Sequence, residues 1–260
     1  LEPRVLLAAF DVREVAKFLP DRGPETMSSN FGERVAIDGN TAVVLAPDAA
    51  SSLSQSRSGV AYVFRLNEHG NADPADDTWD HAATLSSAEI TPNESFGLSV
   101  AIQGATIAVF CSVAINRSQG TLTYDNTSQR CLIFVEPTGG WQGEIRESAQ
   151  LLPPEQSPSS VQHSSIAIDA NSIVIGGSGS VELSGGFERG FVFVKPANGW
   201  NGTLRPTATL VAPRRADYTP GMLEWSPSVA ASNGTIVIHV VAEDPGTADS
   251  SVPFARTVYV

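Results

Sequence analysis

Apolar residues along this chain fall in short alternating runs broken by Gly, Pro, Asn and Ser, a pattern that predicts strands and turns rather than helices. The stretch 29–64 sets the theme. Arg34–Asp38 alternates apolar and polar positions and predicts a first strand, A. Gly39-Asn40 follows as a tight turn, since both residues tolerate the positive φ that short hairpins demand. Thr41–Ala46 predicts strand B, Pro47 to Ser58 a polar loop, and Gly59–Arg65 strand C. A further polar loop, Leu66 to His81, contains Trp79, and Ala82–Ser86 predicts strand D.

This unit recurs. Ile37, Ile102 and Ile168 occupy one position in successive copies and Ala231 holds it in a fourth, at spacings of 65, 66 and 63 residues. SVAIQGATIAVF, SIAIDANSIVIGG and SVAASNGTIVIHVV repeat strands A and B; CLIFVEP, GFVFVKP and TVYV repeat strand C; SAQLLP and TATLVAP repeat strand D. Tyr62, Phe134, Phe193 and Tyr259 coincide, and Trp141 and Trp200 follow their C strands at the same distance. Residues 15–20, VAKFLP, read as a D strand, so the chain opens on the end of a unit.

Four antiparallel strands repeated at this period predict an all-β fold, a β-propeller of four-stranded blades packed face to face. Each buried aromatic would contribute roughly 1.5–3 kcal/mol to that packing. A blade cannot bury its faces alone, so residues 1–260 are read as one domain. Its units are 27–89, 90–156, 157–217 and an incomplete 218–260, with 1–26 the closing strand or strands of a blade. Two closures are open: a four-bladed ring in which VAKFLP supplies the missing fourth D strand and removes exposed edges, or a segment of a larger propeller, in which LEPRVLLAAF is a C strand.

Phe31-Gly32 and Phe96-Gly97, each followed by VAIDGNTAVVLAP or its copy, resemble FG-GAP repeats, the units of the integrin α-subunit type propeller. GVAYVF and the Trp ahead of strand D resemble the variety without calcium loops. The resemblance covers about residues 12–260 and thins along the chain: Gln162-His163 and Trp225-Ser226 replace Phe-Gly in repeats three and four. It implies an extracellular seven-bladed setting. The DxDxDG run of calcium-binding blades is absent, because the A–B turns are only Gly39-Asn40, Gly104-Ala105, Ala170-Asn171 and Asn233-Gly234. No calcium site is carried over and no cofactor is expected.

The formal charge of −12 argues against a nucleic-acid partner and against an anionic membrane surface, both of which call for basic residues. No run approaches the roughly 20 apolar residues of a membrane span. Glu2, Arg4 and Asp11 interrupt the first apolar patch, which does not read as a signal peptide. The start at Leu1 suggests a processed chain or part of a larger polypeptide. Five Asn-x-Ser/Thr triplets, at Asn93, Asn116, Asn126, Asn201 and Asn233, exceed chance and fall in predicted loops or turns, as glycosylation acceptors must. They point to an extracellular or cell-surface protein.

Cys111 ends strand B of repeat two and Cys131 begins its strand C. A disulfide is geometrically natural there and would contribute about 3 kcal/mol; two buried thiols are the alternative. No Cys/His cluster supports zinc. Asp73, Asp76, Asp77 and Asp80 read as a solvated acidic loop. No GxSxG or HExxH motif is present, the four histidines are scattered, and no paired carboxylates recur by blade. His163 reads as a tolerated repeat variation and Trp225 as a core substitution rather than a sugar platform.

The B–C loops, 47–58, 112–130, 177–189 and 242–255, are long and differ between copies. With the D–A loops they share one end of the blades, and function concentrates on such loops. The expectation is non-enzymatic recognition of a protein or glycan at that end. A spacer domain of a cell-surface protein and a glycan-processing enzyme are the alternatives. Glycans at Asn93, Asn116 and Asn126 would crowd the same end and count against a site on repeat two.

Overall fold

The computed structural model describes residues 17–18, 30–49, 59–68, 77–88, 90, 94–116, 123–153, 165–179, 187–211, 228–242 and 255–259. It is all-β, with no helix among these residues. The first repeat forms β1 (Val35–Asp38), β2 (Thr41–Ala46), β3 (Val60–Asn67) and β4 (Thr78–Ser86). The second forms β5 (Glu94–Gln103), β6 (Thr106–Asn116), β7 (Thr123–Val135), β8 (Gly143–Arg146) and β9 (Ala149–Leu151). The third forms β10 (Ser165–Asp169), β11 (Ser172–Gly179), β12 (Phe187–Val194), β13 (Gly202–Leu204) and β14 (Ala208–Val211). The fourth forms β15 (Ser228–Ser232), β16 (Thr235–Ala242) and β17 (Ala255–Tyr259).

Each repeat is an antiparallel sheet in sequence order, β1-β2-β3-β4, β5-β6-β7-β9, β10-β11-β12-β14 and β15-β16-β17. These are propeller blades, each laid against the next. Side chains alternate between the two faces of a strand, so each blade buries two sets of residues. The face of blade one that meets blade two carries Val43, Leu45, Ala61, Val63, Ala83 and Leu85; blade two answers with Phe96, Ile107, Val109, Cys111, Leu132, Phe134 and Trp141. The opposite face of blade two carries Ala108, Phe110, Cys131, Ile133, Ala149 and Leu151 and meets Ile168, Ile173, Ile175, Phe191, Phe193 and Trp200 of blade three. Blade four packs on blade three through Ile238, whose side chain fills the space a Cβ at Gly190 would need.

The Phe-Gly pair of blade two shows why those two residues recur. Phe96 is fully buried, edge-on to Phe134 with ring centroids 6.2 Å apart. Gly97 has φ +98°, and a Cβ there would lie 2.8 Å from Leu45 Cδ1 of blade one. A bulge between Phe96 and Ser99 accompanies it. The glycine thus permits both a left-handed backbone and a close approach between blades, while the phenylalanine fills the interface.

Two elements are unexpected from the sequence pattern. The segments after the C strands of repeats two and three do not stay in their own blades. β8 pairs in parallel with β4 of blade one, Ala83 opposite Gly143 and Leu85 opposite Ile145. β13 pairs in parallel with β9 of blade two, Ala149 opposite Gly202 and Leu151 opposite Leu204. Blades two and three therefore each lend a short strand to the outer edge of the blade before. The D strand of repeat one also begins earlier than expected, at Thr78, and takes Trp79 into β4.

Candidate functional site

The two ends of the blades are built differently. At one end the A–B turns are short, and neighbouring turns are tied together. Asp38 Oδ2 accepts the Gly104 N–H at 2.6 Å, and Asp169 Oδ2 accepts the Gly234 N–H at 2.5 Å. The bonds from Gly234 and then Ala170 hold the Asp169 carboxyl below the ordinary aspartate range against an opposing cost of desolvation, with lesser contributions from Asn233 and Gln103. Hydrogen-bonded and constrained, this end leaves little room for a variable site.

At the other end, β6 and β7 run well beyond the body of blade two. They span 11 and 13 residues, against 6 and 8 for β2 and β3, and stay paired as far as Asn116 opposite Thr123. β5 follows them as far as Glu94 opposite Val113. The expected B–C loop 112–130 is thus corrected: most of it is a projecting hairpin, because its Thr, Val, Ile and Tyr residues favour strands. Register shifts at Cys111/Val113 and Ala114/Asn116 bend the hairpin as it leaves the sheet. β11 and β12 likewise run on to Gly179 opposite Phe187, shortening the expected 177–189 loop. The floor beside the hairpin is firm. Gly59 packs against Pro47 and Phe96, Gly32 donates to the Leu45 carbonyl at 2.9 Å, and Asn30 Nδ2 donates to Asp48 at 2.6 Å.

The expected disulfide is not formed. Cys111 and Cys131 are buried thiols. Cys131 stands opposite Phe110 and Cys111 opposite Arg130, so the two sulfurs belong to opposite faces of the sheet, one in each inter-blade core. Strand ends that adjoin do not suffice for a bond when the residues differ by one register position. Burial, and secondarily the nearby Cys111, push the Cys131 thiol well above its ordinary pKa.

The glycosylation acceptors scatter. Asn116 ends β6 and Asn126 lies within β7, so neither is in the loop expected for it; both are on the projecting hairpin. Asn201 is exposed just ahead of β13, and Asn233 is exposed in the β15–β16 turn. Asn93 lies outside the described residues, as do Asp73, Asp76, His69, His163, Trp225 and residues 50–58 and 243–254 of the B–C loops. Asp80 lies in β4 and accepts a bond from Asn67 Nδ2 at 3.3 Å. Among the described residues no three His, Cys, Asp or Glu stand together to hold a metal ion. His81 Nε2 lies 3.0 Å from the Ala83 carbonyl, and its ring packs on Tyr62 and Phe64, a place in the sheet rather than in a cleft. The residues that sequence reasoning left without a role are Trp141 and Trp200. Their identical setting, Trp-x-Gly-x-Ile/Leu-Arg, was the available sign of β8 and β13.

Propeller-type blades of this construction, with the Phe96-Gly97 pair of blade two at its joint with blade one, define the class of protein. The family model described as the FG-GAP repeat matches residues 12–64, so this segment of the chain is similar to an FG-GAP repeat. The match runs from the segment before the first blade through β1 and β2 to Phe64 in β3. No curated protein and no solved structure matches the chain. No helix among the described residues is long and apolar enough to cross a membrane.

Proposed function

We propose that this chain is an extracellular, non-enzymatic recognition domain that binds a protein or glycan at the B–C end of its blades. The observation that carries the reading is the contrast between ends: short, hydrogen-bonded turns at one, and at the other the β6–β7 hairpin standing out from a packed scaffold. A rigid base with one projecting, copy-specific element suits surface recognition. The FG-GAP repeat at 12–64 and the five acceptor triplets support the extracellular setting. Asn116 and Asn126 sit on the hairpin itself, so glycans there would compete with a ligand and restrict it to the aglycosyl protein or to the neighbouring blades.

The test is binding of the purified chain, made with and without glycosylation, to arrays of glycans and matrix proteins. A variant in which residues 113–127 are replaced by a two-residue Asn-Gly turn is run beside it. Saturable binding that the shortened hairpin loses supports the reading. Well-folded protein that binds nothing overturns it in favour of a spacer domain, and polysaccharide turnover overturns it in favour of an enzyme.

A further inference from the structure

β8 and β13 are the outermost strands of their sheets, in the orders β1-β2-β3-β4-β8 and β13-β9-β7-β6-β5. They occupy equivalent places. Gly143 stands opposite Ala83 and Glu144 opposite Thr84, as Gly202 stands opposite Ala149 and Thr203 opposite Gln150. An outermost strand offers main-chain groups to a second chain, and proteins blunt such strands with charge. β8 is blunted in this way: Glu144 and Arg146 are exposed, and Glu144 accepts a bond from Ser86 Oγ at 2.6 Å. In β13, Thr203 stands where β8 has Glu144, and no charged residue lies within the strand. Arg205, the counterpart of Arg146, follows the strand and donates to the Pro153 carbonyl at 3.3 Å.

What β13 has instead is an acceptor triplet, Asn201-Gly202-Thr203, where β8 has Gln142-Gly143-Glu144. All three residues of the triplet are exposed. A Cβ at Gly202 would meet nothing within 4 Å, so the space beside the turn is open. The backbone there is firmly held. Trp200, just before the triplet, is 4% exposed in the core, Gly202 has φ +69°, and its N–H donates to the Ser148 carbonyl at 3.0 Å. Asn201 is thus fixed at the start of the edge strand with its side chain on the rim. Through β9 it lies level with Ile133 in the body of the blade, whereas Asn116 and Asn126 stand on the hairpin. The triplet at Asn233 is exposed too, but its glycine is held by Asp169 in the joint between blades three and four.

We propose that Asn201 carries an N-linked oligosaccharide, and that this glycan shields the outer edge of β13 as Glu144 and Arg146 shield that of β8. The donor is of the class of oligosaccharides carried on a polyprenyl diphosphate. The bond between the anomeric carbon and the diphosphate oxygen breaks, a bond from that carbon to Asn201 Nδ2 forms, and the amide gives up one proton; nothing is oxidised or reduced. A hydrated, bulky group at the head of a four-residue-scale edge blocks a second strand from pairing along it. The inference rests on the extracellular setting of the proposed function, and not on what the hairpin binds.

The test uses the whole 260-residue chain secreted from a eukaryotic host. Glycopeptide mapping by mass spectrometry is expected to find Asn201 occupied. Thr203→Ala and Thr203→Glu both remove the triplet and so the glycan, but Thr203→Glu restores the charge that Glu144 gives β8. Sedimentation velocity is expected to show the parent and Thr203→Glu as monodisperse, and Thr203→Ala as self-associating with rising concentration. Should Thr203→Ala fail to fold, Asn201→Gln removes the same glycan and is compared with Thr203→Glu instead. Asn201 left bare while other acceptors are occupied overturns this site alone. No glycan on any of the five acceptors counts against the extracellular setting as well. An occupied Asn201 with aglycosyl variants as monodisperse as the parent overturns the shielding of the edge.

Discussion

The carboxylate of Asp38, the last residue of β1, accepts a hydrogen bond from the backbone N–H of Gly104 in the next blade, 2.6 Å away and 66 positions along the chain. The same join recurs two repeat periods on, from Asp169 to Gly234. Blades are held together by their apolar faces, but such bonds fix their rotation at the turn end. Asp38→Ala is expected to lower the melting temperature by roughly 1–4 °C, the range that loss of one exposed hydrogen bond gives in a chain of this size. Asp38→Asn, which keeps an acceptor oxygen, should recover most of it. Differential scanning calorimetry of the two variants checks the pair.

Asp169 adds a pH dependence. Its folded-state pKa is depressed, first by the Gly234 N–H and then by that of Ala170. A depressed carboxylate contributes stability that is fully present above the unfolded pKa, about 4, and is lost as pH falls through the lower folded value. Denaturant titrations between pH 7 and pH 3 should therefore show a steeper loss below pH 4 in the parent chain than in Asp169→Asn. Equal slopes would mean that the turn bond does not depend on the charge.

Much of this architecture was legible because a two-residue alternation interrupted by Gly-Asn turns has few other readings. Thr41–Ala46 was expected as a strand and forms one with those limits, and Ile37, Ile102 and Ile168 take equivalent places. What the alternation could not carry is anything decided between blades. Gly143 and Gly202 look like loop glycines until the neighbouring blade's edge is in view, so β8 and β13 were missed. Cys111 and Cys131 adjoin along the strands, yet face assignment turns on a single register step, and that step separates their sulfurs. The candidate binding end was legible as an end, from loop length, but not as a hairpin.

The repeat position shared by Ile37 and Ile168 separates packing from periodicity. Ile168 is 9% exposed in the core between blades two and three, whereas Ile37 is 63% exposed on the face of blade one turned away from blade two. Ile168→Ala is expected to cost about 2–4 kcal/mol through lost burial and a residual cavity. Ile37→Ala should stay within about 0.5 kcal/mol. Urea melts of both variants give the comparison. A large cost at Ile37 would show that in solution another surface covers this face.

The thiols are buried and Cys131 is held in its protonated form, so neither is expected to react with a thiol reagent in the native state. Ellman's assay should report both cysteines only after unfolding. Dithiothreitol should leave the melting temperature unchanged. Were the chain to gain two reactive thiols on reduction and lose stability, a disulfide would be present after all.

The parallel clasp between blades should be worth more than its few residues suggest. Trp200 is 4% exposed and Trp141 3% exposed, each wedged between a C strand and the D strand of the previous blade. Trp200→Ala removes a buried indole and is expected to cost about 3–5 kcal/mol. Trp79 lies within β4, is only half buried and packs edge-on to Phe18, so Trp79→Ala should cost less. The glycine two residues after each clasp tryptophan has its own requirement. Gly143 and Gly202 have φ +64° and +69°, a conformation that β-branched residues adopt only with strain. Gly202→Val should therefore destabilise although open space surrounds its Cβ position. The site of the damage distinguishes a clasp from a loop tucked into the core. If β13 holds the edge of β9, Trp200→Ala and Gly202→Val will both speed hydrogen exchange at Leu152, whose N–H bonds to the Leu204 carbonyl. Amides of β2 and β3 in blade one will keep their rates. Uniform acceleration across all blades would instead mean that the tryptophan serves the global core alone.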